Sequence, residues 1–302
     1  MHIYLPIAGM SVNALLIVAL GALVGVLSGL FGVGGGFLTT PLLIFYGIPP
    51  TVAVASATTQ ITGASVSGAL AHWRRGGVDL KMGLVMIGGG LFGSLTGAAI
   101  FRILQTTGQV DVVVGFLYVV LLGGIGVLML KDAMFALGWL KRAEVKVQRR
   151  HNRWVASLPL RSRFYASGLY ISPLAPAALG FAAGTLTVLL GVGGGFILVP
   201  AMIYLLGMAA RVVIGTSLVM ILAVSAATTL IQALTSGAVD IVLAGLLLVG
   251  GVIGAQYGAQ LATRLKPDLL RLALAIIILL VALRMALGLA WHPDEIYTVE
   301  ML

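Results

Sequence analysis

The sequence contains no cysteine and few charged residues. Without cysteine, the 302-residue chain can form neither a disulfide nor a zinc–thiolate site, and thiol catalysis is excluded. Charged residues make up 9% of the chain, against about 25% in a soluble domain, and 60% of the residues are hydrophobic. So few charges cannot cover a water-facing surface. The composition therefore predicts a membrane protein.

Acidic residues and histidines are also scarce. The nine acidic residues fall in loops or at the ends of apolar segments, and the four histidines are scattered. The sequence thus offers no acid–base set at membrane depth, and we predict that the protein is not an enzyme. No Gly-Lys-Ser/Thr nucleotide motif follows its glycine-rich stretches, and we predict no cofactor and no metal. The net charge of +9 follows membrane topology, as described below, and we predict no nucleic-acid partner.

Apolar segments occur in two sets of five. They lie near 11–31, 37–47, 51–72, 82–103 and 111–130, and again near 173–190, 196–207, 212–235, 241–263 and 269–290. We predict a first transmembrane repeat at 1–135, a basic cytoplasmic linker at 136–170 and a second transmembrane repeat at 171–302. The fold class expected is an all-α membrane protein with ten transmembrane segments.

The distribution of basic residues predicts how the two repeats are oriented. Because each set holds an odd number of segments, the second repeat enters the membrane inverted relative to the first. With the N-terminus outside, every Lys and Arg except Arg102 and Arg284 falls on the cytoplasmic side, as the positive-inside rule requires. We therefore expect two inverted repeats with both termini outside. The basic linker suits either a helix on anionic headgroups or a solvated loop.

A glycine motif is present once in each repeat. The segment at 32–37 returns at 191–196 with the same sequence, Gly-Val-Gly-Gly-Gly-Phe, and Pro41 and Pro200 follow at the same distance. The apolar segment after each motif has about ten residues, or about 15 Å as a helix, which is half of a bilayer core of roughly 30 Å. We therefore predict broken, re-entrant-like helices at the two motifs.

Each glycine turn is a candidate anion site at membrane depth. Consecutive glycines accept positive φ, so that successive N–H groups can converge on an anion. The helix that follows adds the positive end of its dipole. In two inverted copies both helix N-termini approach one site between the halves. The backbone part of the predicted substrate site is Gly34, Gly35, Gly36, Phe37, Gly193, Gly194, Gly195 and Phe196.

Side-chain donors complete the predicted substrate site. Hydroxyl and amide groups follow the first turn and lie in the third segment of each repeat, where they can bind an oxyanion. The candidates are Thr39, Thr40, Ser56, Thr59, Gln60, Thr216 and Ser217. The alternative for Ser and Thr is a hydrogen bond to their own helix backbone.

Other residues have two interpretations each. His72 is a candidate for carrying a coupling proton, or a residue at the headgroup boundary. For Asp79 and Asp240, at equivalent positions of the repeats, helix capping is favoured over proton coupling. Gly21, Gly25 and Gly29 form a stripe of small residues that predicts close helix packing.

The motifs resemble those of the sulfite exporter TauE/SafE family. The resemblance rests on GLFGVGGGF with Pro41, LLGVGGGF with Pro200 and the duplicated halves. It implies a transporter of sulfite, a sulfonate or a related organosulfur anion in the bacterial cytoplasmic membrane. With the repeats, it predicts a secondary transporter that works by alternating access, with H⁺ as a candidate coupling ion. An anion channel with the glycine turns as its constriction is the alternative. The exact anion, the direction of transport and a homo-oligomeric state are left open.

Overall fold

The computed structural model describes residues 2–31, 36–74, 76–136, 162–208, 210–262 and 267–290. Within these ranges the chain forms ten α-helices and two short β-hairpins. The first five helices are α1 Ala14–Phe31, α2 Gly36–Phe45, α3 Pro50–Arg74, α4 Leu80–Thr106 and α5 Val110–Ala136. The second five are α6 Leu174–Leu190, α7 Gly195–Tyr204, α8 Ala210–Thr235, α9 Ile241–Ala262 and α10 Pro267–Ala290. Each predicted apolar segment coincides with one helix.

The outer surface and the length of the helices are those of an integral membrane protein. Five helices, α4, α5, α8, α9 and α10, are long and apolar enough to cross a membrane. Large apolar side chains stand on their outer faces, with Phe92 70% exposed and Leu84 65% exposed. In water such a surface would be costly, whereas lipid accepts it. The shorter apolar helices are α1, α2, α6 and α7.

Helix contacts occur in matching pairs. The first helix of each set packs against the fourth helix of the other, α1 on α9 and α6 on α4. The third helices α3 and α8 contact each other, and so do the fifth helices α5 and α10. Glycines permit these approaches: a Cβ on Gly21 would lie 2.6 Å from the Leu247 carbonyl oxygen, and one on Gly25 would overlap the backbone of Gly251. The predicted packing role of Gly21 and Gly25 is confirmed.

Two β-hairpins correct the expectation of a purely helical chain. Strand β1 His2–Leu5 pairs with β2 Met10–Asn13, and β3 Ser162–Phe164 pairs with β4 Leu169–Ile171, both antiparallel. One hairpin precedes α1 and the other precedes α6. Each strand has at most four residues, too few for a periodic sequence signal. The second hairpin lies at the end of the predicted linker, whose residues 137–161 are outside the described residues.

Each hairpin is tied to the other set of helices by an aspartate. Asp79 caps the N-terminus of α4, and its Oδ2 accepts hydrogen bonds from Ser167 N (3.0 Å) and Ser167 Oγ (2.5 Å) in the second hairpin. Asp240 caps α9 through Oδ1, and its Oδ2 accepts a hydrogen bond from Ile7 N (3.1 Å) in the first hairpin. The predicted capping role of both aspartates is confirmed.

Candidate functional site

The second glycine turn connects α6 to the short helix α7. Helix α6 ends at Leu190, and its C-cap is Gly191, which has φ 68° and whose N–H donates to the Thr187 carbonyl at 2.8 Å. Gly193 and Gly194 also have positive φ, 70° and 71°. Side chains with a Cβ rarely adopt this conformation, so the glycines determine the path of the turn. Gly194 is the N-cap of α7 and its carbonyl accepts from Leu198 N at 2.9 Å.

This path leaves a run of backbone donors without acceptors in the part of the chain that the structure describes. Among the described residues, nothing accepts a hydrogen bond from the N–H groups of residues 192–196. The first two helical N–H groups of α7 belong to this run, because the first N–H groups of a helix have no partner within it. All five residues are buried. Buried backbone donors are nearly always paired in folded proteins, so this run is a candidate binding site for an acceptor.

The start of the first short helix lies beside this turn. The Phe37 ring in α2 stacks on the Phe196 ring in α7, with centroids 4.5 Å apart and planes 12° apart. A Cβ built on Gly36 would lie 2.9 Å from the Gly191 carbonyl oxygen. The N-termini of α2 and α7 therefore meet in the interior. Gly34 and Gly35 of the first turn lie outside the described residues, and their substrate role stays a prediction.

Four of the predicted polar side chains lie on α2 and α3, the helices that pack beside the second turn. The Thr39 hydroxyl donates to Gln60 Oε1 at 3.0 Å across the contact of α2 with α3. The Thr40 hydroxyl is buried, beside Gly191 of the second turn and beside the Tyr118 hydroxyl. The buried Ser56 hydroxyl on α3 makes no hydrogen bond to a described residue. The Ser56 hydroxyl therefore remains available to a ligand.

The Gln60 amide borders a narrow cleft between α1, α3 and α9. The cleft is lined by Val24, Gly25, Ser28, Gln60, Ile61, Ala64, Gly251 and Ala255. A Cβ on Gly251 would lie 2.8 Å from Gln60 Nε2, so the donor end of the amide is turned toward α9. The cleft has room for about one water molecule. In this conformation it is too small for a sulfite ion.

Ile61 separates the cleft from both glycine segments. A Cβ on Gly36 would overlap its Cδ1, and a Cβ on Gly193 would lie 2.7 Å from its Cγ2. Ile221, at the equivalent position of α8, also lies against Gly193. The sequence prediction did not include Ile61, because an isoleucine in an apolar helix gives no signal of its own. Its place one residue after Gln60, and the matching Ile221, were the available clues.

Other predicted site residues are engaged elsewhere. The Thr216 hydroxyl accepts a hydrogen bond from Asp79 N at 2.9 Å, at the N-terminus of α4. Ser217 and Thr59 donate to carbonyls of their own helices, Ile214 O at 3.0 Å and Ala55 O at 3.1 Å. His72 lies in the last turn of α3. The structure therefore does not place these four with the Thr40 and Gln60 group, and their functional roles stay predictions.

The electrostatic character of the site is neutral. The groups that meet there are backbone N–H groups, hydroxyls and one carboxamide. A neutral donor set can bind an anion without a buried basic side chain, whose desolvation would be costly. It attracts the anion less strongly than lysine or arginine would, which favours release as well as binding.

Comparison with known proteins gives a consistent result. The profile of the family described as Sulfite exporter TauE/SafE matches residues 17–285. The chain is 29% identical over 271 residues to "Probable membrane transporter protein YjnA" of Bacillus subtilis, covering 89% of this chain and 98% of that protein. It is 29% identical over 279 residues to a "Probable membrane transporter protein" of Xylella fastidiosa, covering 91% and 95% of the two chains.

A plant relative is more similar over a short stretch. "Sulfite exporter TauE/SafE family protein 1" of Arabidopsis thaliana is 40% identical over 60 residues, 20% of this chain and 13% of that protein. No solved structure shows significant similarity to the chain. The family consists of membrane transporters and not of enzymes. With its family profile matched from α1 to α10, the chain belongs to the sulfite exporter TauE/SafE family.

Proposed function

We propose that the protein is a secondary transporter that moves a small sulfur-containing anion, such as sulfite or a sulfonate, across the cytoplasmic membrane. The observation that carries the proposal is the run of buried N–H groups at 192–196 without acceptors among the described residues. Sulfite and sulfonate groups present three oxygens on one sulfur, and each oxygen accepts several hydrogen bonds. Converging backbone donors at a helix N-terminus suit such a group.

The side chains around the turns would bind the remaining oxygens. Thr40 offers a hydroxyl beside Gly191, and Ser56 offers a second buried hydroxyl. Gln60 has its Oε1 occupied by Thr39, which leaves its Nε2 as a donor. These groups come from the first repeat, while the described backbone amides come from the second. The anion would therefore be held between the two halves.

Transport would proceed by alternating access between two inverted halves. The proposal is supported by the matching contacts of α1 with α9 and of α6 with α4. It is also supported by the placement of nearly all Lys and Arg on one side of a ten-segment topology with both termini outside. An inverted duplication gives two conformations of similar energy, one open to each side, because the halves can exchange their roles.

Ile61 would close the site in the described conformation. It fills the space between the glycine segments and the Gln60 cleft. Admission of an anion requires this side chain to move away from Gly36 and Gly193. A rocking motion that separates α3 from α7 would produce this displacement, and the apolar isoleucine would otherwise exclude ions. The conformation is therefore interpreted as closed.

Reconstituted transport tests the proposal. The purified protein in proteoliposomes loaded with unlabelled sulfite should accumulate external ³⁵S-sulfite by counterflow, since a carrier exchanges its substrate across the membrane. Gln60→Leu should reduce the initial rate at least tenfold. The matched control Gln109→Leu, at the start of α5, should not. Absence of counterflow together with single-channel currents in planar bilayers would contradict the carrier and favour an anion channel.

The substrate is identified in the same preparation. Unlabelled sulfite, thiosulfate, sulfoacetate, taurine and sulfate are each tested as competitors of the labelled anion. We expect at least one sulfur oxyanion to inhibit counterflow, since the N–H groups of residues 192–196, here called the amide turn, would bind the oxygens and not the remainder of the molecule. Lack of competition by all five would exclude this substrate class.

A further inference from the structure

A second group of polar side chains lies where α8 packs against α4 and α6, outside the residues of the second glycine turn. On α8 it comprises Thr228, Thr229 and Gln232, whose spacing places them on one face of the helix. On α4 it comprises Ser94, whose Oγ lies 3.0 Å from Thr228 Oγ1. We call these four residues the α8 polar cluster. They are neutral oxygen-bearing residues in an otherwise apolar region.

The carbonyl oxygen of Gln232 is the most informative atom of the cluster. The Gln232 side chain is 2% exposed, and its Nε2 donates to the Val188 carbonyl in α6 at 3.1 Å. Because a carbonyl can only accept, this bond orients the amide and turns Oε1 away from Val188. Oε1 is buried and receives no hydrogen bond from a described residue. A buried acceptor of this kind costs about 1–3 kcal/mol unless something binds it.

Thr229 supplies a second unsatisfied oxygen on the same face. Threonines in helices usually donate to the carbonyl four residues earlier, as Thr58 and Thr187 do here. The Thr229 hydroxyl is buried and makes no hydrogen bond to a described residue. Gln232 lies one helical turn further along α8, so the two oxygens are neighbours on the helix surface.

The hydroxyls of the cluster are found in one repeat only. At the offsets that align the repeats, Thr228 corresponds to Gly68, Thr229 to Ala69 and Ser94 to Ala255, whereas Gln232 corresponds to the polar His72. Helix packing in the first repeat therefore uses small apolar residues at three of the four places. Architecture alone does not require the hydroxyls in the second repeat, which points to a ligand.

The chemistry of the cluster identifies the ligand class. An unpaired amide oxygen accepts hydrogen bonds and coordinates cations, and it repels an anion. Hydroxyl and carbonyl oxygens are the ligands that hard cations prefer. The cluster has no carboxylate, so a divalent ion would bring twice the uncompensated charge of a monovalent ion into the membrane interior, where such charge is costly. Nor do hydroxyls or amides titrate near neutral pH, so the cluster cannot itself carry a proton.

We propose that the α8 polar cluster binds Na⁺ as the coupling ion of the transport cycle. The coupling role rests on the proposed transport function, whereas the binding itself does not. Gln232 connects the cluster to Val188, three residues before the glycine turn begins at Gly191. Ser225 on the same helix accepts from the Thr62 hydroxyl on α3 at 3.0 Å, near Gln60 and Ile61. Sodium at the cluster would thus affect the position of the second glycine turn and that of α3, which both contribute to the proposed anion site.

Sodium binding to the purified full-length chain tests the proposal without any anion substrate. Melting temperature is measured in detergent across a NaCl titration, with choline chloride keeping ionic strength and chloride constant, and ²²Na⁺ binding is measured in parallel. Wild type should melt at higher temperature in Na⁺ than in choline. Absence of both the thermal response and ²²Na⁺ binding in the wild-type protein would overturn the proposal.

Matched variants locate the ion. Thr229→Val keeps the side-chain shape and removes the unpaired hydroxyl, and Gln232→Leu removes the amide. Each should weaken Na⁺ binding at least tenfold. The control Thr235→Val, on the same helix, removes an exposed hydroxyl that already bonds its own helix at 2.6 Å and should bind Na⁺ like wild type. Wild-type Na⁺ affinity in Thr229→Val would overturn the assignment to this cluster.

Transport assays then distinguish the proposed sodium site from the proposed transport of a sulfur-containing anion. Sodium binding at the cluster without sulfite or sulfonate flux would support the ion site and contradict the proposed substrate. Sulfite counterflow with no Na⁺ binding to the wild-type protein would support the transporter and contradict the ion site. If both hold, an inward Na⁺ gradient should drive net sulfite movement, and this response should be absent in Thr229→Val.

Discussion

Replacing Gly194 with alanine perturbs the amide turn with little added volume. Gly194 has φ 71°, and an L-residue in this left-handed conformation costs roughly 1–2 kcal/mol. The new Cβ would lie 3.0 Å from the Ala183 Cβ, a tight contact that a shift of a few tenths of an ångström relieves. We therefore expect the folded protein to insert and purify, with a loss of about 1–2 kcal/mol in stability.

Gly194→Ala should weaken anion binding in addition to lowering the stability of the fold. Relief of the strain rotates the backbone at Gly194, so that the N–H groups on either side no longer converge. A hydrogen bond to a charged group contributes about 1.5–3 kcal/mol, which corresponds to roughly 10- to 150-fold in affinity. Loss of one such bond therefore predicts at least a tenfold weaker binding of sulfite to Gly194→Ala.

Gly207→Ala is the matched control for backbone strain. Gly207 has φ 70° and a Cβ there would contact nothing within 4 Å. It follows the C-terminal end of α7, at the opposite end of that helix from the amides. Melting temperature should fall similarly in both variants, while sulfite affinity, measured by titration of the melting temperature, should fall only in Gly194→Ala. Equal affinities in the two variants would refute the reasoning.

Three further predictions concern packing and capping. Gly89→Ala should strongly reduce the yield of folded protein in size-exclusion chromatography, because its Cβ would overlap a backbone carbonyl of α6. The control Gly88→Ala should not reduce the yield, because a Cβ at Gly88 would have no neighbour within 4 Å. Phe37→Ala should destabilise the protein by about 3–5 kcal/mol, and a double-mutant cycle with Phe196→Ala should show a coupling of about 0.5–1.5 kcal/mol in the unfolding free energy. Asp240→Ala should cost about 1 kcal/mol or more through the lost cap and should accelerate proteolysis in the first hairpin, whose N–H it binds. An unchanged yield of Gly89→Ala would contradict the first prediction, and additive unfolding free energies in the Phe37 and Phe196 cycle would contradict the second. An unchanged rate of hairpin cleavage in Asp240→Ala would contradict the third.

The positions of the helices could be predicted from the sequence because the signals are strong and local. Long apolar runs defined the long helices. The glycine triplets marked where α1 and α6 end and where α2 and α7 begin. Asp79 and Asp240 were recognised as caps because they directly precede apolar segments. Each of these signals depends on backbone preferences within a few residues.

The hairpins could not be predicted in the same way. Strands of three or four residues give no reliable alternation, and their stability comes from tertiary contacts. Leu5 and Val12 of the first hairpin are buried beside Ile17 and Leu43, and the aspartate of the other helix set binds the turn. These contacts are remote in sequence.

The side chains of the candidate site were predicted only in part. Ser56 and Thr216 occupy equivalent positions in the repeats, yet Thr216 accepts a hydrogen bond from Asp79 N while Ser56 makes none to a described residue. The partner of a hydroxyl is determined by which helix end packs beside it, and sequence alignment of the repeats does not give that. Gln60 was identified because its amide is a hydrogen-bond donor in the third apolar segment, whereas Gln232 in the equivalent segment was not.

The central claim is that main-chain amides of the glycine turns bind the transported anion. The most direct measurement is the position of bound selenite, an analogue of sulfite whose selenium is located by anomalous diffraction from crystals of the protein. We expect selenite oxygens at about 2.7–3.2 Å from the backbone nitrogen atoms of residues within 192–196. Selenite bound elsewhere among the helices, with those N–H groups unpaired, would contradict it.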